Sequence, residues 1–182
     1  SSIRAGSLKV ISSGTVELLR GANDIGTYAA ALADDASLVI ADADGITFGE
    51  VSVANAANLS SLLFHGMKDL NWAGFYFVKG RELVVGPFQG KPACVTIPLG
   101  RGVCGTAAEE RAIQRVADVH AFDGHIACDV ESRSEIVLPL IVDDTVRGVL
   151  DLDSPLLDRF DRHDEEMLKE IADIFVESVD WP

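Results

Sequence analysis

The chain has 182 residues, 48% of them hydrophobic and 24% charged, the balance of one globular domain with an ordinary core and not of a disordered segment. Its net charge of −14 argues against nucleic acid and anionic membrane surfaces, which are held through basic groups, and no apolar run approaches the roughly 20 residues of a bilayer span. The three cysteines are an odd count without a secretory signal, which points to a reducing compartment, with the cytoplasm as the default.

Residues 1–14 (SSIRAGSLKVISSG) carry basic residues without a compact apolar stretch, and read as an N-terminal extension ahead of a domain over 15–182. Thr15 to Asp35 has Val16, Leu19, Ile25 and Ala29 near helical spacing, weakened by Gly21 and Gly26. Ser37 to Phe48 is ambiguous, and 37–49 has no functional reading. Ser52 to Leu70 is a clearer helix, with Ala56, Leu59, Leu63, Met67 and Leu70 in one stripe. From Trp72 the period changes to two. Trp72 to Val78 and Leu83 to Phe88 alternate around a turn at Lys79 to Glu82, and Ala93 to Leu99 reads as a third strand. Gly102 opens a short helix over Thr106 to Arg111, and Gln114 to Val116 is a further strand piece. A loop rich in Asp, Gly and His leads to a hairpin over Ser134 to Asp153. Asp161 then caps a last helix running to about Val179, with Leu168, Ile171, Phe175 and Val179 inward. The sum is an α+β domain: a central antiparallel sheet of five or six strands, with the N- and C-terminal helices packed together on one face.

The hairpin is the most informative part. Ser134 to Val142 and Val146 to Asp153 both alternate strictly, separated by Asp143-Asp144-Thr145, read as a loop of three residues. That register sets Ile136 against Leu152, Leu138 against Leu150 and Leu140 against Gly148, so one face is apolar. The other face then places Glu135 opposite Asp153, and Asp151 opposite Val137. A slip by one residue would put Asp151 on the apolar face, so burial resists it. Directly opposed side chains sit roughly 5 Å apart at Cβ. Carboxylates that close do not all ionise; the cluster keeps a proton with a raised apparent pKa and can donate it near neutral pH. The plain alternative is a solvated acidic strand face.

Gly100-Arg101-Gly102-Val103-Cys104-Gly105 fits the G-x-G-x-x-G pattern of dinucleotide sites, but the rest of a βαβ unit is missing. Its amides are instead candidates for holding a small carboxylate. Cys104 sits at the helix start, where the helix end favours a thiolate. Cys128 lies in HIACD just before the hairpin, crowded by Asp129 and Glu131, which raises its pKa. On residue physics alone Cys104 is therefore the better nucleophile. Each cysteine singly reads as an inert core residue; Cys94, Cys104 and Cys128 around one pocket read as redox groups. A zinc site with His120 or His125 lacks any C-x-x-C knuckle, so no metal is expected. Trp72, Gly74 and Tyr76 share a strand face that suits a pocket wall, while Ala73, Phe75 and Phe77 are core.

Together NWAGFYFV, GPFQGKPAC, GRGVCGTAAEE, DVHAFDGHIACD, SEIVLPL and GVLDLDSP closely resemble the free methionine-(R)-sulfoxide reductases, enzymes built on a GAF domain. The resemblance runs from about Asn55 to Phe175; the first fifty residues fit poorly. It implies that Cys128 attacks the sulfoxide sulfur, that Cys94 resolves the product as a disulfide, and that Cys104 is a third redox-relevant cysteine. It also implies that Glu135, Asp151 and Asp153 surround the polar groups of the substrate, with Trp72 and Tyr76 as pocket wall. Thioredoxin as electron donor, no bound cofactor and, in some members, a homodimer follow from the same resemblance. The chemistry suits these residue types: an unprotonated oxygen leaves sulfur poorly, so a neutral carboxylic acid is needed as proton donor, and a second thiol condenses with the sulfenic acid formed. A GAF-type sensor that binds a small ligand without chemistry is the competing reading, and it does not require the cysteines beside the carboxylates.

Overall fold

The computed structural model describes residues 50–181 apart from 125, 127 and the side chains of 50–52 and 180. The expectations for Thr15 to Asp35 and for Ser37 to Phe48 lie outside the described residues. Helix α1 (Glu50–Gly66) leads into β1 (Trp72–Lys79) and β2 (Glu82–Gly90), then the short β3 (Thr96–Pro98). Helix α2 (Gly102–Glu110) and β4 (Gln114–Val116) follow, and β5 (Ser134–Val142) and β6 (Thr145–Ser154) form the long hairpin. Helix α3 (Arg162–Glu177) comes next. The strands make one antiparallel sheet of six, in the order β3-β2-β1-β6-β5-β4.

Alternation sorts the sheet into two faces. Phe75, Ile136, Leu138, Leu140, Leu150 and Leu152 point to one side, where they bury against Ala56 and Leu63 of α1 and Leu168, Ala172 and Phe175 of α3. The terminal helices of the domain thus share a face, as the sequence pattern requires. Trp72, Tyr76, Val137 and Val149 point to the opposite side, against Val103, Cys104, Ala107 and Ala108 of α2. The start of α3 is fixed by a capping box. The Asp161 carboxylate accepts from the Asp164 N–H at 2.9 Å, and the Asp164 carboxylate accepts from the Asp161 N–H at 3.0 Å.

The hairpin register is the expected one through its core: Glu135 pairs with Asp153, Ile136 with Leu152, Val137 with Asp151, Leu138 with Leu150 and Leu140 with Gly148. Its tip differs. Val142 pairs with Thr145, so the loop is the two residues Asp143 and Asp144, both at positive φ (45° and 60°), the backbone a two-residue primed turn needs. The register shift between Leu140 and Ile141 absorbs the difference, leaving Arg147 as an extra residue on β6. The third strand is shorter than expected, leaving Ala93 and Cys94 outside it, while the Val95 carbonyl still accepts from the Val85 N–H of β2 at 3.0 Å. Helix α2 starts at Gly102, four residues before the expected Thr106. No helix among the described residues is long and apolar enough to cross a membrane.

Candidate active site

The β5–β6 ladder and α2 meet over one pocket on the face away from α1 and α3. Glu135, Asp151 and Asp153 line it from the sheet, Val103 and Cys104 from α2, and Ile126, Cys128, Asp129 and Ser132 from the loop before β5. Trp72 and Tyr76 form its aromatic wall, stacked at a ring separation of 5.7 Å, and Phe88 stacks behind Trp72 at 5.3 Å. Gly74 makes this possible. A Cβ there would stand 2.4 Å from the Phe88 Cβ and 2.7 Å from the Trp72 indole, so the ring lies where any side chain would clash.

The carboxylates are deep in the protein: Glu135 and Asp151 are only 6% and 5% exposed. The Cys104 thiol donates to Glu135 Oε1 at 3.8 Å, and its sulfur lies within 4.8 Å of both a Glu135 and an Asp151 carboxylate oxygen. Burial pushes the Asp151 carboxyl up to about 7. Burial, then the neighbouring Asp151, raises Glu135 and Asp153 well above the usual carboxylate range. Three acids in a low-dielectric pocket cannot all be charged, so protons are shared among them at neutral pH. Tyr76 is also pushed up, first by burial and then by Asp151, and stays a neutral phenol. Asp151 Oδ1 and Trp72 Nε1 are buried with no hydrogen-bond partner in the protein. Such atoms cost about 1–3 kcal/mol each when left unmatched, so a polar ligand would relieve them.

Cys94 and Cys128 are joined by a disulfide, with their Cα atoms 5.3 Å apart, while Cys104 is free and buried. The disulfide links the irregular segment after β2, whose Pro92 and Ala93 line the pocket, to the loop that carries Cys128. Cys104 and Cys128 therefore line the pocket, and Cys94 is bonded to Cys128 just behind the lining. The expectation that Cys104 is the better thiolate is overturned. Burial pushes its thiol well up, and Asp151 and Glu135 push it further; that penalty outweighs the helix end.

Most amides of the glycine motif are engaged within the protein. The amides of Gly100, Arg101, Gly102 and Gly105 donate to the carbonyls of Gly105, Pro98, Gly124 and Arg101, which leaves Val103 and Cys104, both in the pocket lining, as the residues of the motif whose amides a carboxylate could reach. Gly105 serves packing, since a Cβ there would meet the Pro98 carbonyl at 2.3 Å. With Cys94 and Cys128 bonded to each other, the three cysteines do not make a zinc site. Among the described residues, the Cys, His and acidic group close enough to share an ion is Cys104, Glu135 and Asp151.

The sequence reasoning missed a polar network beneath the Cys128 loop. The Asn71 Nδ2 donates to Asp129 Oδ2 at 3.0 Å and to Ser132 Oγ at 2.9 Å, and the Ser132 side chain pulls the raised Asp153 carboxyl back down. Lys91 Nζ lies 2.5 Å from Glu131 Oε2 and 3.7 Å from Asp129 Oδ1. The bond that Lys91 donates to Glu131 raises the Lys91 pKa. Against the upward pull of burial, Asp129 is held below its ordinary value by the Glu131 N–H, Asn71 and Lys91. Asn71 and Lys91 stand in NWAGFYFV and GPFQGKPAC, but nothing in their local spacing marks them as partners of residues some 40 to 60 positions away.

Comparison with known proteins agrees with this geometry. A model of the GAF domain family matches residues 27–178. The free methionine-R-sulfoxide reductase of Escherichia coli is 54% identical over 132 residues, covering 72% of this chain and 80% of its own. That of Saccharomyces cerevisiae is 46% identical over 144 residues, covering 74% and 80%. The solved free methionine-R-sulfoxide reductase of Neisseria meningitidis, in complex with its substrate, superimposes with a TM-score of 0.68 at 46% identity, over 70% of this chain and 77% of that one. The chain belongs to the free methionine-R-sulfoxide reductases of the GAF-domain family.

Proposed function

We propose that the protein reduces free methionine-(R)-sulfoxide to methionine, with Cys128 as nucleophile, Cys94 as resolving thiol and thioredoxin as the external reductant. The observation that carries this reading is the Cys94–Cys128 disulfide at the edge of a pocket floored by Glu135, Asp151 and Asp153. In the reduced enzyme the Cys128 thiolate attacks the sulfoxide sulfur. A carboxylic acid of the cluster protonates the oxygen, which transfers to the cysteine as the sulfinyl bond breaks. Methionine leaves and Cys128 becomes a sulfenic acid. The Cys94 thiol then displaces water from that sulfenic acid, forming the disulfide, and a dithiol restores both thiols by exchange. No bound cofactor enters these steps.

The other residues have roles that fit. The ionised members of the cluster attract the ammonium of a free amino acid, and the Trp72–Tyr76 wall takes the S-methyl end. Cys104, held protonated, donates a hydrogen bond to Glu135 and supports the acid, without acting as the attacker.

The deciding experiment offers each resolved epimer of methionine sulfoxide, free and embedded in a peptide, with dithiothreitol as reductant. Conversion of the free R epimer alone supports the reading, and racemic free substrate then stops near half. Binding without conversion would leave a ligand sensor, and turnover of the peptide would remove the restriction to the free amino acid.

A further inference from the structure

Lys91 belongs to neither the pocket lining nor the sheet, yet it joins the two chain segments that carry the redox pair. It stands three residues before Cys94, with the rigid Pro92 between them. Its ammonium reaches the loop that carries Cys128, at Asp129 Oδ1 (3.7 Å) and Glu131 Oε2 (2.5 Å). The acceptor side is itself anchored. Asp129 Oδ2 takes the Asn71 amide at 3.0 Å, and Asp129 Oδ1 takes the Glu131 N–H at 3.0 Å, closing a tight turn immediately after Cys128. The Asp129 side chain is only 9% exposed, while Lys91 and Glu131 are 53% and 61% exposed, so the strap lies at the pocket rim and is open to screening by salt.

We propose that Lys91 is a positioning residue for the thiol relay: its ammonium straps the Cys94 segment onto the Cys128 loop, so that the two sulfurs remain within bonding reach when no disulfide joins them. The inference rests on the disulfide relay proposed above. In the reduced enzyme the covalent link between the segments is gone, and the segment after β2 is held to the sheet at Val95, whose carbonyl accepts from the Val85 N–H at 3.0 Å, but among the described residues has no such bond at Cys94 itself. The ion pairs then tie the Cys94 side to the Cys128 side, alongside the packing of Ala93, Cys94, Ile126 and Cys128 against one apolar cluster. They raise the effective concentration of one thiol at the other, as a short, well-placed tether does.

The test is the reduction potential of the Cys94–Cys128 couple in the full chain. The chain is equilibrated against dithiothreitol redox buffers, and the fraction oxidised is read by the mass shift on thiol alkylation. Lys91→Met, which keeps the apolar stem, is expected to lower the disulfide equilibrium constant three- to tenfold, making the potential less negative by about 15–30 mV for a two-electron couple. Lys91→Arg should restore it, and Glu131→Gln should shift it in the same direction by less. In 1 M salt the wild-type potential should move toward that of Lys91→Met. Equal potentials for wild type and Lys91→Met, or no rescue by arginine, overturn the strap while leaving the relay intact. A wild-type chain that turns over without forming this disulfide overturns both.

Discussion

Glu135 faces Asp153 directly across the β5–β6 ladder, and the sheet thereby presents two carboxyl groups to one pocket with a third, Asp151, beside them. Antiparallel pairing makes such crowding unavoidable at this register, and α2 packs over it and removes the solvent that would let all three ionise. The fold stores a proton at this point.

That stored proton predicts the pH dependence of stability. Asp151 is raised to about 7 in the folded protein against roughly 3.9 unfolded. Between those values the folded state binds more protons than the unfolded one, so stability falls as pH rises. The stabilising effect is complete below about pH 4 and lost as pH passes 7. Asp151→Asn is expected to flatten this slope and to melt higher than wild type at pH 8. Thermal melts from pH 5 to 8, within the range where the rest of the protein stays folded, check it.

The same proton should appear in the chemistry. The single-turnover rate of methionine release is expected to fall as pH rises through about 7, where the donor is lost. Asp151→Asn and Glu135→Gln should each slow this step by 10²–10⁴-fold, the usual worth of general acid catalysis. Rapid-quench assays of the pre-reduced enzyme read it directly, and a rate that is flat from pH 6 to 9 counts against an acid in this cluster.

The cysteines separate by what each variant can release. Cys128→Ser should yield no methionine from the pre-reduced enzyme. Cys94→Ser should yield one equivalent and then stall at the sulfenic acid. Cys104→Ser should keep the first equivalent, at a reduced rate if its thiol supports Glu135. One equivalent from Cys128→Ser would move the nucleophile to Cys104.

The aromatic wall has its own signature. Gly74→Ala is expected to destabilise by about 1–3 kcal/mol, the range for forcing atoms into a packed site, because its Cβ would meet Phe88 and Trp72. Trp72→Ala should raise KM for the free sulfoxide at least tenfold while leaving the epimer preference to the polar end. Denaturant melts and steady-state kinetics measure the two effects.

Much of the fold was legible because period-two alternation allots faces without reference to anything distant. Trp72 and Tyr76 against Ala73 and Phe75, and Glu135 and Asp151 against Ile136 and Leu150, separate on parity alone. The hairpin core register followed from the same rule, although the tip did not. Two positive-φ aspartates and a bulge at Arg147 give the same register as a three-residue loop, so local pattern could not choose between them. The Cys94–Cys128 pairing spans 34 residues and was readable only through resemblance, since spacing does not encode which loops meet.

Chain alternation and composition settled which side chains share a surface: carboxyl groups on one face, aliphatic groups on the other, whatever the final packing. The ionic state of those groups was decided later, when α2 closed over the sheet and Lys91 reached across to the Cys128 loop. The physical reason is that desolvation and charge coupling sum over neighbours in space. Cys104 at a helix start looks like a thiolate in sequence, and becomes a protonated thiol once Glu135 and Asp151 are folded against it.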